Sequence, residues 1–352
     1  MAWSLILSVN SFIQATLRAL TMPVDVEEDE PDVQLGVEDI ELNELGDSEF
    51  PLYFTERNNR LYQADTATSP YPLPVDTPEN QRVNALHKAL YQLIGRANYI
   101  GPVAEVLAPQ EGPRKLAIDL GCGTGQWVME MAREFPHVFF FGLDVVPIAT
   151  RYPEDNVQFE LHDIGEPMRW PNGSVDLIHA RSIFMTVRDY SVIISEAARL
   201  LKSGGMFLSG EWGPFPAFHP TFPQAMGDPR DYVPGLDRFY RLLHSVLATR
   251  GIIHAVASTV HQRLDVSGAF TDIHEHIFYM PIGTWSPDPG TQILGKRNRA
   301  ALTKFMNSIR PIFVAAGESE ADLEQLYNEC WTEMYGASGL VSVYYLVPAR
   351  RI

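Results

Sequence analysis

Asp119-Leu-Gly121-Cys-Gly123-Thr-Gly125 overlaps the end of the apolar run Leu116-Ala-Ile-Asp-Leu120. A short apolar run that ends in glycines reads as a buried parallel strand. Glycine is needed where the backbone must turn tightly and approach a ligand with no Cβ in the way. The helix that follows the turn presents free N–H groups. A turn built for a dinucleotide pyrophosphate has the spacing G-x-G-x-x-G. Here the third glycine arrives one residue early, at Gly125, and Gln126-Trp127 follow. That spacing disfavours an NAD-dependent oxidoreductase.

Reading outward, strand and helix alternate. A helix is expected over 125–134, then a strand Val138–Leu143 ending at Asp144, and a third strand Val157–Leu161 ending at His162-Asp163. The fourth strand, Val175–Ala180, follows the turn Pro171-Asn-Gly173. Residues 189–202 read as a helix closed by Gly204-Gly205 as a C-cap, before a fifth strand Met206–Gly210. This alternation predicts a doubly wound α/β sheet. Upstream, Thr77 reads as an N-cap with Pro78 at the first helical position and Glu79 in the first turn. Val83, Leu86, Leu90 and Leu93 then form one helical face ending near Gly95, and a second helical stretch is expected around 97–107. Downstream, 211–235 reads as a loop, 236–250 as a helix, and Phe270–Tyr279 and Leu340–Val347 as two further strands. Helical stretches 291–315 and 318–335 fall between those strands, an insertion well placed to cover a site.

In a parallel α/β sheet, ligands bind outside the carboxyl ends of the strands, near the topological switch point. Asp144 closes the second strand, 23 residues after Gly121. A carboxylate there can accept hydrogen bonds from both hydroxyls of a ribose. Asp163 closes the third strand beside Ile164 and suits an adenine ring: the carboxylate takes the exocyclic amine and the isoleucine covers the face. One strand-end Asp is easily a turn residue. Three features in register after three successive strands favour a ligand site over turn residues.

The chain has 352 residues, 45% of them hydrophobic, and a net charge of −17. Twelve of the negative charges lie in residues 24–49, which hold no Lys or Arg, so the rest of the chain carries only −5. The acidity is a local run that reads as a flexible linker. It repels phosphate backbones, which disfavours direct nucleic-acid binding, and it leaves room for a protein partner. The first 22 residues are apolar but broken by Ser, Asn, Gln and Arg18, too short and polar for stable membrane insertion. Two cysteines 208 positions apart make no disulfide framework or zinc ribbon; a reducing compartment is expected, the cytoplasm, with the nucleus as the alternative.

Asp119-Leu-Gly121-Cys-Gly123-Thr-Gly125, with Asp144 and Asp163, resembles the S-adenosylmethionine (SAM) binding core of class I methyltransferases. Tyr71-Pro-Leu-Pro-Val-Asp76 with Glu79, Arg82 and His87 sharpens the likeness. So do Gly125-Gln-Trp127, Asp176-Leu-Ile-His-Ala-Arg181, Lys202-Ser-Gly-Gly205 and Pro281-Ile-Gly283-Thr-Trp285. These are similar to the fungal LaeA-like methyltransferases over roughly residues 53–350. The resemblance implies a Rossmann-like methyltransferase fold: a seven-stranded sheet with an antiparallel last strand, N-terminal helices, and a helical lid inserted before that strand. It implies SAM as cofactor, held by Asp119, Gly121, Cys122, Gly123, Gly125, Trp127, Asp144, Val145, Asp163, Ile164, Ala180 and Arg181. The expected organisation is an apolar segment 1–22, an acidic linker 23–50, a helical cap 51–110, and a methyltransferase domain 111–352 with lid elements in 212–268 and 283–338. A small-molecule acceptor in secondary metabolism is the expected substrate; regulation of secondary metabolism through protein partners is the alternative.

Methyl transfer from a sulfonium needs positioning and exclusion of water more than acid–base machinery. A base is needed only where the acceptor must lose a proton. His179 and Arg181 flank the end of the fourth strand and Glu211-Trp212 follow the fifth. His179 is a candidate base, with a packed core histidine as the alternative. Arg181 is a candidate for the SAM carboxylate or the acceptor, with an ordinary ion pair as the alternative. Glu211 is a candidate for steering the acceptor. His219, Tyr232 and Tyr240 are candidate pocket residues. His274 and His276 share one strand face but find no third ligand by spacing, so no metal is expected.

Overall fold

The computed structural model describes residues 44–64, 69–253 and 255–352. The expected apolar segment 1–22 and the acidic stretch up to residue 43 lie outside the described residues. The elements run in the order β1 (Phe54–Arg57), β2 (Arg60–Gln63), α1 (Thr77–Leu93), α2 (Val103–Val106), β3 (Lys115–Leu120), α3 (Gln126–Glu134), β4 (Val138–Asp144), β5 (Val157–Leu161), β6 (Val175–Arg181), α4 (Tyr190–Leu200) and β7 (Leu201–Trp212). There follow β8 (Ala217–Phe218), α5 (Pro234–Thr249), α6 (Val260–Ser267), β9 (Phe270–Thr271), β10 (His276–Pro281), α7 (Pro289–Ala315), α8 (Glu320–Gly336) and β11 (Leu340–Arg351).

Seven strands form one path in the order β10-β11-β7-β6-β3-β4-β5, and the short β8 and β9 pair with the two ends of β11. The pairs β3/β4, β3/β6, β4/β5 and β6/β7 are parallel, whereas β11 runs antiparallel to β7 and to β10. The expected doubly wound sheet with an antiparallel last strand is therefore present. The chain winds outward from β3 through β4 to β5, then crosses back to β6 on the other side. The carboxyl ends of β3 and β6 thus flank the switch point, where a crevice must open.

Local physics explains the departures from expectation. The cap of α1 is Asp76, not Thr77: its Oδ1 accepts from the Glu79 N–H at 3.2 Å, and the same carboxylate pairs with Arg60. A carboxylate that satisfies a helix end and a guanidinium together outcompetes a hydroxyl. The stretch 97–107 is helical only at Val103–Val106, since Gly101-Pro102 breaks the pattern. Gly204-Gly205 does not cap a helix. Leu201 is already extended, and β6 pairs with β7 first at Val175–Leu201 and next at Leu177–Met206, so Lys202-Ser-Gly-Gly205 bulges out between them. The predicted strand Phe270–Tyr279 is two, split by Asp272 at φ 49°, so His274 lies outside the strand that holds His276. Asp47 and Phe50, expected in the linker, both dock on Arg151, by an ion pair at 2.6 Å and by a guanidinium 4.0 Å from the ring centroid.

The core has separate centres. Trp127, Val128 and Met131 of α3 pack with Ala117, Phe140 and Leu177 on one face of the sheet. A second centre joins helices α5, α7 and α8 to Leu73, to Phe218 of β8 and to Leu340 of β11, and in it Phe239, Phe313 and Tyr327 meet edge-on at 5.4 and 5.8 Å. Fully buried side chains of that size contribute roughly 1.5–3 kcal/mol each, so the lid helices are held by their own core. Among the described residues, no helix is long and apolar enough to cross a membrane.

Candidate active site

A single continuous cavity opens at the switch point. One half is made of strand ends. Asp119, Gly121, Cys122, Gly123 and Thr124 come from the end of β3, Asp144 and Val145 from β4, Asp163 and Ile164 from β5, and Arg181 from β6. The glycine turn is held by Cys122 N–H donating to Leu143 O and Gly123 N–H donating to Asp144 Oδ2, at 2.9 and 2.8 Å. Its glycines answer to different neighbours. Gly123 has φ 56°, and a Cβ there would meet no atom within 4 Å; it borders the cavity. Gly125 has φ 75°, and a Cβ there would lie 2.4 Å from Phe159 Cζ. The early third glycine is thus demanded by the ring of Phe159 behind the turn, not by a ligand in front of it.

Asp144 accepts from Gly123 N–H with one oxygen and from Val146 N–H, at 3.2 Å, with the other. The carboxylate lies in the cavity wall at the strand end, placed to accept from a ribose hydroxyl. Burial pushes this carboxyl up to about 6, against backbone N–H groups that pull it down. Asp163 accepts from Gly165 N–H at 2.9 Å, and the buried Ile164 lines the cavity beside it.

Other expected site residues do not reach the cavity. His179 is buried, its Nδ1 is 2.7 Å from Asp119 Oδ1, and its ring stacks on Trp127 with centroids 3.8 Å apart. Trp127 in turn donates to Asn98 O at 2.8 Å. Burial lowers the His179 ring, with the facing Asp119 opposing. His179 therefore braces Asp119 from behind, and Gly125, Trp127 and Ala180 stand with it outside the wall. Glu211 is also buried outside it: Oε1 accepts from Ile183 N–H at 2.9 Å, and burial pushes the carboxyl up to about 8. It fixes the turn after β6 and does not face the cavity. His219 bonds Thr221 and Tyr232 is exposed; of that trio only Tyr240 lines the cavity.

The second half comes from helices and from the segment after β7. Val83, Leu86 and Leu90, the apolar face of α1, are cavity wall as well as core. Trp212 at the end of β7, Phe215 beyond it, Tyr240 of α5, and Leu302 and Phe305 of α7 enclose the rest. Polar groups there are few and engaged. Arg82 donates to Glu79 Oε1 through Nε and Nη2, at 2.9 and 2.7 Å, while Glu79 Oε2 accepts from Ser308. Thr124 Oγ1 donates to Asn84 at 2.6 Å and so ties the glycine turn to α1. Arg181 lines the cavity, 3.0 Å from His87 Nδ1, and makes no ion pair with a carboxylate among the described residues. Sequence reading missed His87, Glu130, Thr124 and Phe305 as site residues. For His87 the available signal was a polar residue placed on the apolar face of α1.

Residues 113–216 match the family model described as a methyltransferase domain. Those residues are similar to a methyltransferase domain, and the chain resembles the fungal LaeA-like proteins. It is 27% identical over 275 residues to "Secondary metabolism regulator laeA" of Coprinopsis cinerea, covering 75% of this chain and 66% of that protein. It is 24% identical to "Methyltransferase str2" of Strobilurus tenacellus, covering 74% and 89%. It is 28% identical to "Protein-methionine methyltransferase laeA" of Emericella nidulans, covering 73% and 64%. The match thus spans about two thirds of the length of the two laeA relatives.

Proposed function

We propose that the chain is a SAM-dependent methyltransferase acting on a small-molecule acceptor, in the secondary metabolism that the names of its relatives point to. The observation that carries this is one cavity with two chemically distinct ends. Asp144, Asp163 and the open side of Gly123 fit a nucleoside and its thioether chain. Tyr240, Phe215, Leu302 and Phe305 offer an apolar chamber continuous with it. Bound in the first end, SAM supplies a methyl group already activated by its sulfonium. The protein's own work is then to hold the acceptor in line and keep water out. The lid elements in 212–268 and 283–338, with the cap 51–110, supply that enclosure. Arg181 and the glycine turn orient the donor, while Glu211 acts indirectly through the turn after β6.

Calorimetric titration with SAM tests the reading. Wild-type binding and loss of roughly 100-fold in Asp144→Ala are expected, since two charge-assisted hydrogen bonds disappear. Absence of wild-type binding would sink it. A second reading is a regulatory protein that binds SAM and works through partners, in the cytoplasm or nucleus. It draws on the Coprinopsis cinerea relative named a regulator and on the acidic run in residues 24–49. A pull-down with and without residues 1–50 separates the two: one stoichiometric partner, retained only with that segment, favours regulation.

A further inference from the structure

His87 stands on α1 between Glu130 of α3 and Arg181 at the end of β6. Its Nε2 lies 3.0 Å from Glu130 Oε2, and its Nδ1 lies 3.0 Å from Arg181 Nη2. A guanidinium nitrogen can only donate, so Nδ1 accepts and the ring proton sits on Nε2, where Glu130 takes it. Burial, with the neighbouring guanidinium second, lowers this ring to about 4, so the imidazole is neutral near pH 7. Glu130 is itself anchored: its other oxygen accepts from Gln126 Nε2 at 2.8 Å. Gln126 and Glu130 occupy the first turns of the helix that leaves the glycine turn. The chain Gln126–Glu130–His87–Arg181 therefore runs from the base of the cofactor turn to the cavity wall.

What this chain does to Arg181 follows from charge. A guanidinium held by a carboxylate is neutralised by it. Held by a neutral imidazole, it is fixed in orientation and keeps its charge uncompensated. Glu79 is paired with Arg82, Asp119 bonds His179, and neither carboxylate forms an ion pair with Arg181 among the described residues. Arg181 uses one donor on His87, and its remaining N–H groups have no hydrogen bond among the described residues. An oriented, uncompensated guanidinium in a cavity wall is a receptor for a carboxylate. We infer that Glu130 and His87 are positioning residues that hold Arg181 to receive the α-carboxylate of the methyl donor. The inference rests on the cofactor reading above.

The test compares two ligands on the full chain by calorimetry. S-adenosylhomocysteine carries the α-carboxylate. 5′-Methylthioadenosine shares the adenine, ribose and thioether but lacks the amino-acid end. Arg181→Gln should weaken S-adenosylhomocysteine roughly 10–100-fold and methylthioadenosine less than about twofold. His87→Leu should weaken the first about tenfold and spare the second. His87→Asn, whose side-chain oxygen can stand near the Nδ1 position, should recover most of that loss. Glu130→Gln should cost about threefold on the first ligand alone. Equal weakening of both ligands, or no weakening of the first in any variant, overturns the inference. Arg181→Gln leaves α1 intact and keeps the test readable should His87→Leu fail to fold. If the wild type binds neither ligand, the cofactor reading itself falls and the inference goes with it.

Discussion

The two ends of the cavity are built in opposite ways. The nucleoside end uses the last residues of β3, β4 and β5, which lie within 50 positions of one another and are fixed by a hydrogen-bonded parallel ladder. The acceptor end draws on Tyr71, Leu86, Phe215, Tyr240 and Phe305, spread over more than 200 positions. Its walls are held by a separate core around Phe239, Phe313 and Tyr327. A ladder places side chains by register and tolerates little change. A packed helical lid can exchange its lining residues while its own core persists. The donor site is thus the conservative half by construction, and the acceptor site is the half free to vary.

The strongest way to break this contrast is to damage the turn from behind. Gly125→Ala must move Phe159 and hold a side chain at positive φ, and should destabilise the fold by about 2–4 kcal/mol in denaturant unfolding. Gly123→Ala meets no protein atom. It should cost only about 1 kcal/mol of stability while abolishing tight S-adenosylhomocysteine binding. Similar stability losses in the two variants would erase the distinction between a packing glycine and a ligand-facing one.

Acidity sharpens the donor half. Asp144 must be ionised to accept two hydroxyls, and burial holds its carboxyl at about 6. S-adenosylhomocysteine affinity should therefore be full at pH 7.5 and fall about tenfold by pH 5, with proton release on binding near pH 6. Asp144→Asn should bind weakly and show no such slope. A wild-type profile flat from pH 7.5 to 5 contradicts the role. The lid offers the opposite control: Phe305→Ala should leave S-adenosylhomocysteine affinity within about twofold, since it faces only the acceptor end.

The smallest effect concerns Glu211. Its carboxyl is raised by burial to about 8 in the folded chain, well above its ordinary value. The folded state therefore binds more protons than the unfolded one across pH 5 to 8, and stability falls as pH rises through that window. Glu211→Gln keeps an acceptor for Ile183 N–H and should be nearly neutral at pH 5. At pH 8 it should be more stable than wild type. Parallel stability curves for the two proteins would show that Glu211 does not titrate there.

The donor half was legible because strand period and terminal residues are local signals. Leu116–Leu120, Val138–Asp144 and Val157–Leu161 announce themselves as strands, and Gly121, Asp144 and Asp163 follow at their ends. What local signals could not give was direction. His179 and Arg181 sit two apart on β6, yet one is stacked against Trp127 and the other lines the cavity. The difference arises because α3 covers the first and α1 brings His87 to the second. The acceptor half was legible only as a helical insertion. Its lining depends on how α5 and α7 pack on each other and on α1, a long-range arrangement that periodicity does not encode.

The proposed chemistry requires one cavity to serve donor and acceptor together. A crystal structure of the chain with S-adenosylhomocysteine tests that most directly. The ribose hydroxyls should lie on Asp144, the adenine amine at Asp163, the α-carboxylate on Arg181, and the sulfur should face the chamber of Phe215, Tyr240 and Phe305. A sulfur turned away from that chamber, or a ligand bound elsewhere, would contradict it.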